Sequence, residues 1–385
     1  MNLDIATPSS VSTRGRRIRV MVVDDAIVVR GLFTRWLEAE PDLELVASLR
    51  SGREAVAELK RADPDVVLLD VAMPDLDGIA ALPLLLAQKP DLTVIMASTL
   101  TRRNAEISLK ALSLGATDYL PKPTSKHNAA GSADFRRELI DKVRHLGQRR
   151  IRLRAVPGNV YEAKPTLQPR FKATPTDAER QHVSLRPMPP APPRALVIGS
   201  STGGPQALSL ILAQISEIID AVPVLITQHM PPTFTSILAE QLTRLANRPV
   251  HEAKDGDAVV AGGVYLAPGG QHMRITRRDG VPVIALDDSA LINFCRPAVD
   301  PLFSSAAAIW GNRLLALVLT GMGHDGLAGA KAVVAAGGHV MAQDEPTSVV
   351  WGMPGQVAMA GLCSAVVPLP EIAPRLMRLF ARERV

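Results

Sequence analysis

An apolar, β-branched run from Ala195 to Ile198 stops at Gly199, passes through a loop of small residues, and gives way at Pro205 to an amphipathic run from Gln206 to Ile215. A buried strand, a glycine turn and a helix in immediate succession commit this half of the chain to an α/β fold. Proline suits a first helical turn, where its missing N–H loses no bond. Ser200 and Ser201 therefore stand on a tight turn at which backbone N–H groups and the positive end of the helix dipole converge. Gly199-Ser200-Ser201-Thr202-Gly203 matches the G-x-S-x-G nucleophile pattern. The residues alone leave two readings open, a presented hydroxyl or a phosphate-cradling turn. A dinucleotide site is disfavoured because the G-x-G-x-x-G spacing is missing.

The N-terminal half also alternates. Short apolar runs begin at Ile18, Leu43, Val66, Thr93 and Tyr119, with helical segments between them and a last one expected over Ala133 to Leu146. Five strands in βα alternation predict a parallel sheet covered on both faces, with ligands beyond the carboxyl ends of its strands. Asp24 and Asp25 close the first run, Asp70 the third, Ser98 and Thr99 follow the fourth and Lys122 follows the fifth. Three carboxylates meeting at one end repel unless a cation sits among them, and a few hard oxygen donors with open positions suit Mg²⁺. A lysine and a hydroxyl opposite them would hold a phosphoryl oxygen.

The segments Asp24-Asp25, LDVAMPDLDG at 69–78, Ser98 and YLPKP at 119–123 resemble a response-regulator receiver domain. The resemblance implies a flavodoxin-like sheet of order 2-1-3-4-5. It makes Asp70 the phosphoacceptor for a CheA-like histidine kinase. It assigns Mg²⁺ to Asp24, Asp25, Asp70 and the Ala72 carbonyl, places Ser98 and Lys122 on the phosphoryl group, makes Tyr119 the aromatic switch, and implies a cis bond at Lys122–Pro123.

Residues 151–193 hold nine prolines and few large apolar side chains, which is the composition of a linker. Beyond it, apolar runs at 195–198, 222–227, 263–266, 314–319 and 339–341 alternate with helical stretches, giving a second α/β domain. Three of these runs end at chemically useful groups. The first leads to Ser201, the second to Gln228 and His229, the fourth to Thr320, Gly321, Met322, Gly323, His324 and Asp325. If the three strands are neighbours, Ser201, His229 and Asp325 meet in one crevice as nucleophile, base and orienting acid. His251, His272, His324 and His339 are rival bases, and Asp325 could equally cap a helix. The N–H groups of Thr202 and of the Gly321–Gly323 loop are candidate oxyanion donors.

Further motifs, GSSTGG at 199–204, QHMPP at 228–232, VYLAPGG at 264–270, RPAVDPLF at 296–303, LTGMGHDG at 319–326, QDEPTS at 343–348 and GMP at 352–354, make this half similar to the catalytic domain of the chemotaxis protein-glutamate methylesterases (CheB). The resemblance runs through both domains in order. It implies Ser201 as nucleophile, His229 as base, Asp325 as orienting acid, and Thr202 and Met322 as oxyanion N–H donors. Position 324, histidine here, often carries asparagine in that family. The expected organisation is an arm at 1–17, a receiver domain at 18–147, a Pro-rich linker at 148–193 and a doubly wound α/β methylesterase domain at 194–385. The expected activity is phosphorylation-activated demethylation of glutamate methyl esters on methyl-accepting chemoreceptors, with deamidation of glutamines. Mg²⁺ is expected at the receiver domain and no cofactor for the ester chemistry.

Bulk properties fit that reading. Two cysteines, Cys295 and Cys363, exclude a disulfide framework and fit a reducing cytoplasm. No run approaches a membrane span, and the net charge of +5 with 3% aromatics argues against nucleic acid. A monomer is expected. The rival readings are a phosphorylation-dependent scaffold without catalysis and a nucleotide-binding output domain.

Overall fold

The computed structural model describes residues 16–99, 101–122, 129–154, 183–188 and 191–381. The expected arm (residues 1–15 of it), the Pro123 half of the Lys122–Pro123 bond and most of the expected linker lie outside these residues. By its contacts the chain divides into two compact units, with a boundary after Val94 that groups β4, α4 and β5, defined below, with the C-terminal half.

The first sheet is built from β1 (Ile18–Val23), β2 (Leu43–Leu49), β3 (Val66–Asp70), β4 (Thr93–Thr99) and β5 (Asp118–Lys122), interleaved with α1 (Ile27–Glu38), α2 (Gly52–Ala62), α3 (Gly78–Gln88) and α4 (Arg102–Ser113), and followed by α5 (Ala129–Arg154). Its order is β2-β1-β3-β4-β5, the order expected. β3 is buried from end to end, as a strand covered on both faces must be. Helix starts follow local chemistry. The side chains of Ser51, Asp77 and Thr101 accept from the backbone N–H groups of Glu54, Ala80 and Asn104, which satisfies donors that a first turn leaves unpaired.

Helix α5 runs eight residues past the expected end at Leu146 and into the expected linker. After Gly147, residues 148–154 hold no glycine or proline to end the helix. Buried Arg150 also anchors the extension, donating to the Asp65 carbonyl (2.9 Å) and to Asp91 (3.1 Å).

The second sheet has the order β14-β13-β12-β6-β7-β9-β8. Its strands are β6 (Ala195–Ser200), β7 (Val224–Gln228), β8 (Val250–Glu252), β9 (Val264–Leu266), β12 (Leu314–Val318), β13 (His339–Gln343) and β14 (Ala365–Val367). Every pair in it is parallel. Between β9 and β12 the chain makes a separate antiparallel hairpin, β10 (His272–Arg278) with β11 (Val281–Asp287). The helices are α6 (Gly204–Leu212), α7 (Ser216–Ala221), α8 (Pro232–Ala246), α9 (Val299–Trp310), α10 (Leu327–Ala335), α11 (Met353–Met359) and α12 (Leu369–Phe380). Ala195 and Val197 face a core with Val299, Leu302 and Phe303 of α9. Leu196 and Ile198, equally buried, face the other way because side chains alternate along a strand.

The chain leaves β6 for β7, β8 and β9 on one side and returns through β12, β13 and β14 on the other. The switch point lies between β6 and β12, where open α/β sheets place their ligands. Residues 183–188, expected in the linker, dock on this unit. Arg186 N–H donates to the Cys363 carbonyl at 2.8 Å, and Val183 packs against the core.

Candidate active site

β12, β6 and β7 are adjacent, so the three strand ends that carry Asp325, Ser201 and His229 open side by side. Backbone bonds continue past the strands. Ser201 N–H donates to the Thr320 carbonyl (3.0 Å), His229 N–H to the Ser200 carbonyl (3.1 Å) and Leu319 N–H to the Gly199 carbonyl (2.9 Å). Two glycines let the turn close. Gly203 takes φ +78°, and a Cβ on Gly321 would lie 2.3 Å from Met353 Sδ and 2.9 Å from Ser201 Cβ, closer than real atoms approach.

His229 binds Asp325 through one ring nitrogen, with Nε2 2.7 Å from Oδ2. Its other nitrogen, Nδ1, lies 3.4 Å from Cys295 Sγ. Asp325 is 2% exposed and is saturated with donors. Oδ2 also accepts from Val299 N–H (2.6 Å), and Oδ1 accepts from Gly326 N–H (2.9 Å), Asn293 Nδ2 (3.1 Å) and Asp300 N–H (3.2 Å). Burial opposes ionisation, yet His229 and these N–H groups outweigh it and hold the carboxyl well below the usual carboxylate range. Asp325 does not cap α10. Asp300 does, accepting from Gly329 N–H at 2.6 Å. Burial, and then the charge of Asp325, push the Asp300 carboxyl upward. For His229 burial opposes the charged ring, but Cys295 and the Asp325 carboxylate beside it outweigh burial and raise its pKa to about 10.

The rival histidines stand elsewhere. His272 is fully buried with both nitrogens used, one on the Ala290 carbonyl (3.1 Å) and one accepting from Ala298 N–H (3.2 Å). His251 and His324 are exposed, and His339 sits by Ser364 at the start of β13. Thr202 is buried and Met322 half-buried. Among the described residues neither of their backbone N–H groups has a protein acceptor, and a buried donor of that kind wants one.

Several contributors have a part that composition and spacing do not assign to them. Gln228 accepts from Ser200 Oγ (2.7 Å) and donates to the Ser201 carbonyl (2.9 Å), tying β6 to β7. Thr320 Oγ1 donates to the Thr202 carbonyl at 2.9 Å. Asn293 bridges Asp325 and Asp300, at 3.1 Å from each.

In the first sheet, carboxylate oxygens of Asp24, Asp25 and Asp70 all lie within 4.8 Å of one another. Asp24 and Asp70 are buried and Asp25 is exposed. This donor set fits Mg²⁺, since oxygens so close repel without a cation and leave open positions for water or phosphate. Ala72 is exposed just beyond β3. Ser98 and Lys122 are buried at the ends of β4 and β5, and Ser98 Oγ lies 2.9 Å from Ser108 Oγ. Tyr119 is 5% exposed and stacks on Phe234, with ring centroids 4.5 Å apart. Among the described residues no helix is long and apolar enough to cross a membrane.

Residues 196–376 match the family model described as CheB methylesterase, and residues 20–130 match the response regulator receiver domain. The chain is similar to the protein-glutamate methylesterase/protein-glutamine glutaminase of Rhodopseudomonas palustris strain HaA2, at 56% identity over 98% of each chain. It is similar to the protein of the same name from Nitrobacter hamburgensis, at 57% identity over 99% of each. Among solved structures, the Thermotoga maritima CheB methylesterase catalytic domain is 42% identical, with a TM-score of 0.47, and covers 49% of this chain and 98% of that one.

Proposed function

The chain belongs to the CheB methylesterase family and carries a receiver domain, and from that premise we propose that it hydrolyses γ-glutamyl methyl esters on chemoreceptors, and deamidates glutamines there, under control of phosphorylation. The observation that carries the reading is the His229–Asp325 bond at 2.7 Å, beside the strand end that presents Ser201.

With Nε2 committed to Asp325, Nδ1 is the nitrogen that takes the Ser201 proton. Ser201 Oγ attacks the ester carbonyl, and the Thr202 and Met322 N–H groups receive the charge that develops on its oxygen. His229 then returns the proton to the departing methanol. Water repeats the sequence on the acyl-enzyme and restores the glutamate. Asp325 fixes the tautomer and stabilises the imidazolium, for which its saturated, ionised state is suited. An amide in place of the ester gives deamidation by the same steps, with ammonia leaving. A single-turnover experiment with a labelled methyl ester tests the assignment. Methanol loss should vanish in Ser201→Ala, and its persistence would overturn the nucleophile.

Within this reading the domains are a receiver at 18–147, whose last helix continues to Arg154, a linker to 193 and a catalytic domain at 194–385. Asp70 takes a phosphoryl group from a histidine kinase by in-line attack. Asp24, Asp25, Asp70 and the Ala72 carbonyl would hold Mg²⁺, which when bound neutralises charge on the phosphoryl oxygens. Lys122 pairs with that group, Ser98 donates to it, and Tyr119 responds to it. The chain acts as a cytoplasmic monomer.

Contacts within the second compact unit support restraint of the esterase before phosphorylation. Thr202 Oγ1 donates to Asp118 Oδ2 at 3.0 Å, Arg102 pairs with Glu240 at 2.7 Å, and Tyr119 lies on Phe234. A population shift away from these contacts is sufficient for activation.

A further inference from the structure

The loop that follows β11 brings one side chain to the catalytic base that the family chemistry has no part for. Cys295 Sγ lies 3.4 Å from His229 Nδ1, within reach of a hydrogen bond to sulfur. The His229 side chain is only 10% exposed, and its Nε2 is held by Asp325. In the neutral ring Nε2 therefore carries the proton that Asp325 accepts, and Nδ1 carries the lone pair. Among the described residues the hydrogen that meets Nδ1 of the neutral ring is the thiol's own. Among the described residues the group at Nδ1 is the Cys295 thiol and not the Ser201 hydroxyl.

A thiol on an imidazole lone pair is the arrangement that activates cysteine. Proton transfer to Nδ1 leaves a thiolate beside an imidazolium, and the nearby Asp325 carboxylate supports the positive ring. Cys295 is partly exposed, so small reagents reach it. The second cysteine is the opposite case. Cys363 is fully buried, and burial pushes its thiol up to about 12.

We propose that Cys295 is a modification site, a thiol activated by His229 that hydroperoxides and alkylating reagents modify, and that its modification shuts off ester hydrolysis. With a hydroperoxide, the thiolate attacks the outer oxygen and the O–O bond breaks. Sulfur is oxidised to the sulfenic acid, and the peroxide is reduced to an alcohol (water, for hydrogen peroxide) that takes the imidazolium proton. Two equivalents of an added thiol reverse the step, yielding a disulfide, water and free Cys295. The added oxygen or alkyl group crowds Nδ1, which then cannot accept the Ser201 proton.

The loss of esterase rests on His229 being the base of the proposed reaction, whereas the reactivity of the thiol does not, and the test separates the two. The full chain is treated at pH 7 with iodoacetamide, or with hydrogen peroxide followed by a sulfenic-acid trap, and each cysteine is followed by peptide mass spectrometry. A free thiol of pKa ~8.5 is about 3% thiolate at pH 7, so full activation gives at most about 30-fold, reduced to about tenfold by the weaker nucleophilicity of an acidic thiol. Cys295 should react about tenfold faster than free cysteine, Cys363 should stay unlabelled, and His229→Gln should remove the excess rate. Methanol release, normalised to each protein's untreated value, should fall with peroxide in wild type, recover with dithiothreitol, and resist peroxide in Cys295→Ala. Labelling of Cys295 no faster than free cysteine, or equal loss of release in wild type and Cys295→Ala, overturns the proposal. If the untreated chain releases no methanol, the esterase reading falls, and the labelling rates alone decide whether the thiol is activated.

Discussion

Replacing Asp325 with asparagine exchanges one carboxylate oxygen for an amide NH₂ and removes one charge. The cost follows from the five donors around it. Oδ2 accepts from His229 and Val299, and Oδ1 from Gly326, Asn293 and Asp300. Turned toward His229 and Val299, the NH₂ leaves the Val299 N–H without an acceptor once the ring changes tautomer, and turned the other way it faces three donors. At about 1–3 kcal/mol for each unmet group, Asp325→Asn loses at least about 1–3 kcal/mol of stability. Against a total of about 5–15 kcal/mol, the variant remains folded but is easily denatured.

The activity falls further. An NH₂ turned toward His229 forces Nε2 to accept and Nδ1 to carry the proton, and Nδ1–H cannot receive another from Ser201. The wrong tautomer costs about 10⁴-fold in Ser-His-Asp enzymes. The pH dependence has a definite sign. The Asp325 carboxyl is held below its unfolded value of about 3.9. Its stabilisation is therefore complete at neutral pH and is lost as pH falls through the lower folded value. The stability gap between wild type and variant should narrow in acid, as Asp325 takes up a proton, and again toward pH 10, where His229, which Asp325 helps to raise, gives up its own. Denaturant midpoints with an unchanged slope report the first quantity, and methanol release reports the second. Release within tenfold of wild type, or equal stability at neutral pH, would refute the reasoning.

Gly321→Ala places a methyl against Met353, which can swing aside, and against the Ser201 Cβ and backbone nitrogen, which cannot. Stability should fall by about 1–3 kcal/mol and turnover by about 100-fold through displacement of the nucleophile, while unchanged turnover would show that the turn tolerates the shift. Asp118→Ala frees Thr202 from a bond of the charged class, worth about 1.5–3 kcal/mol. Methanol release without any phosphodonor should rise about tenfold or more, and no rise would remove this contact from the restraint. Cys295→Ala takes away the side chain that, with Asp325, outweighs burial and raises His229. The pH at which kcat/KM rises should move downward in that variant, and an unmoved limb would show that the thiol carries no charge beside the ring.

The strand ends were legible because each closes a β-branched run with a residue that has no place inside a sheet. Ser201, His229 and Asp325 could be aligned once β6, β7 and β12 were taken as neighbours, which the structure bears out. The groups around His229 and Asp325 were not legible. Asn293 and Cys295 lie on an irregular loop beyond the β10–β11 hairpin, and neither has a periodic neighbour that predicts where a loop returns. The three-residue strands β8 and β14 are too short to leave an alternation pattern. The extension of helix α5 past Leu146 is not legible either, because its support is Arg150 on Asp65 and Asp91, a non-local pairing. The role of Asp300 was equally hidden, since it caps a helix that begins 27 residues later in the chain.

The measurement that bears most directly on the account is methanol release from methylated receptor membranes by the full chain, with and without a small-molecule phosphodonor and Mg²⁺. Release should rise with the phosphodonor, lose that rise when Mg²⁺ is chelated or Asp70 is replaced by asparagine, and disappear in Ser201→Ala under every condition. Release that persists in Ser201→Ala, or that ignores the phosphodonor, or that is missing from the folded wild type on several receptors, would contradict it.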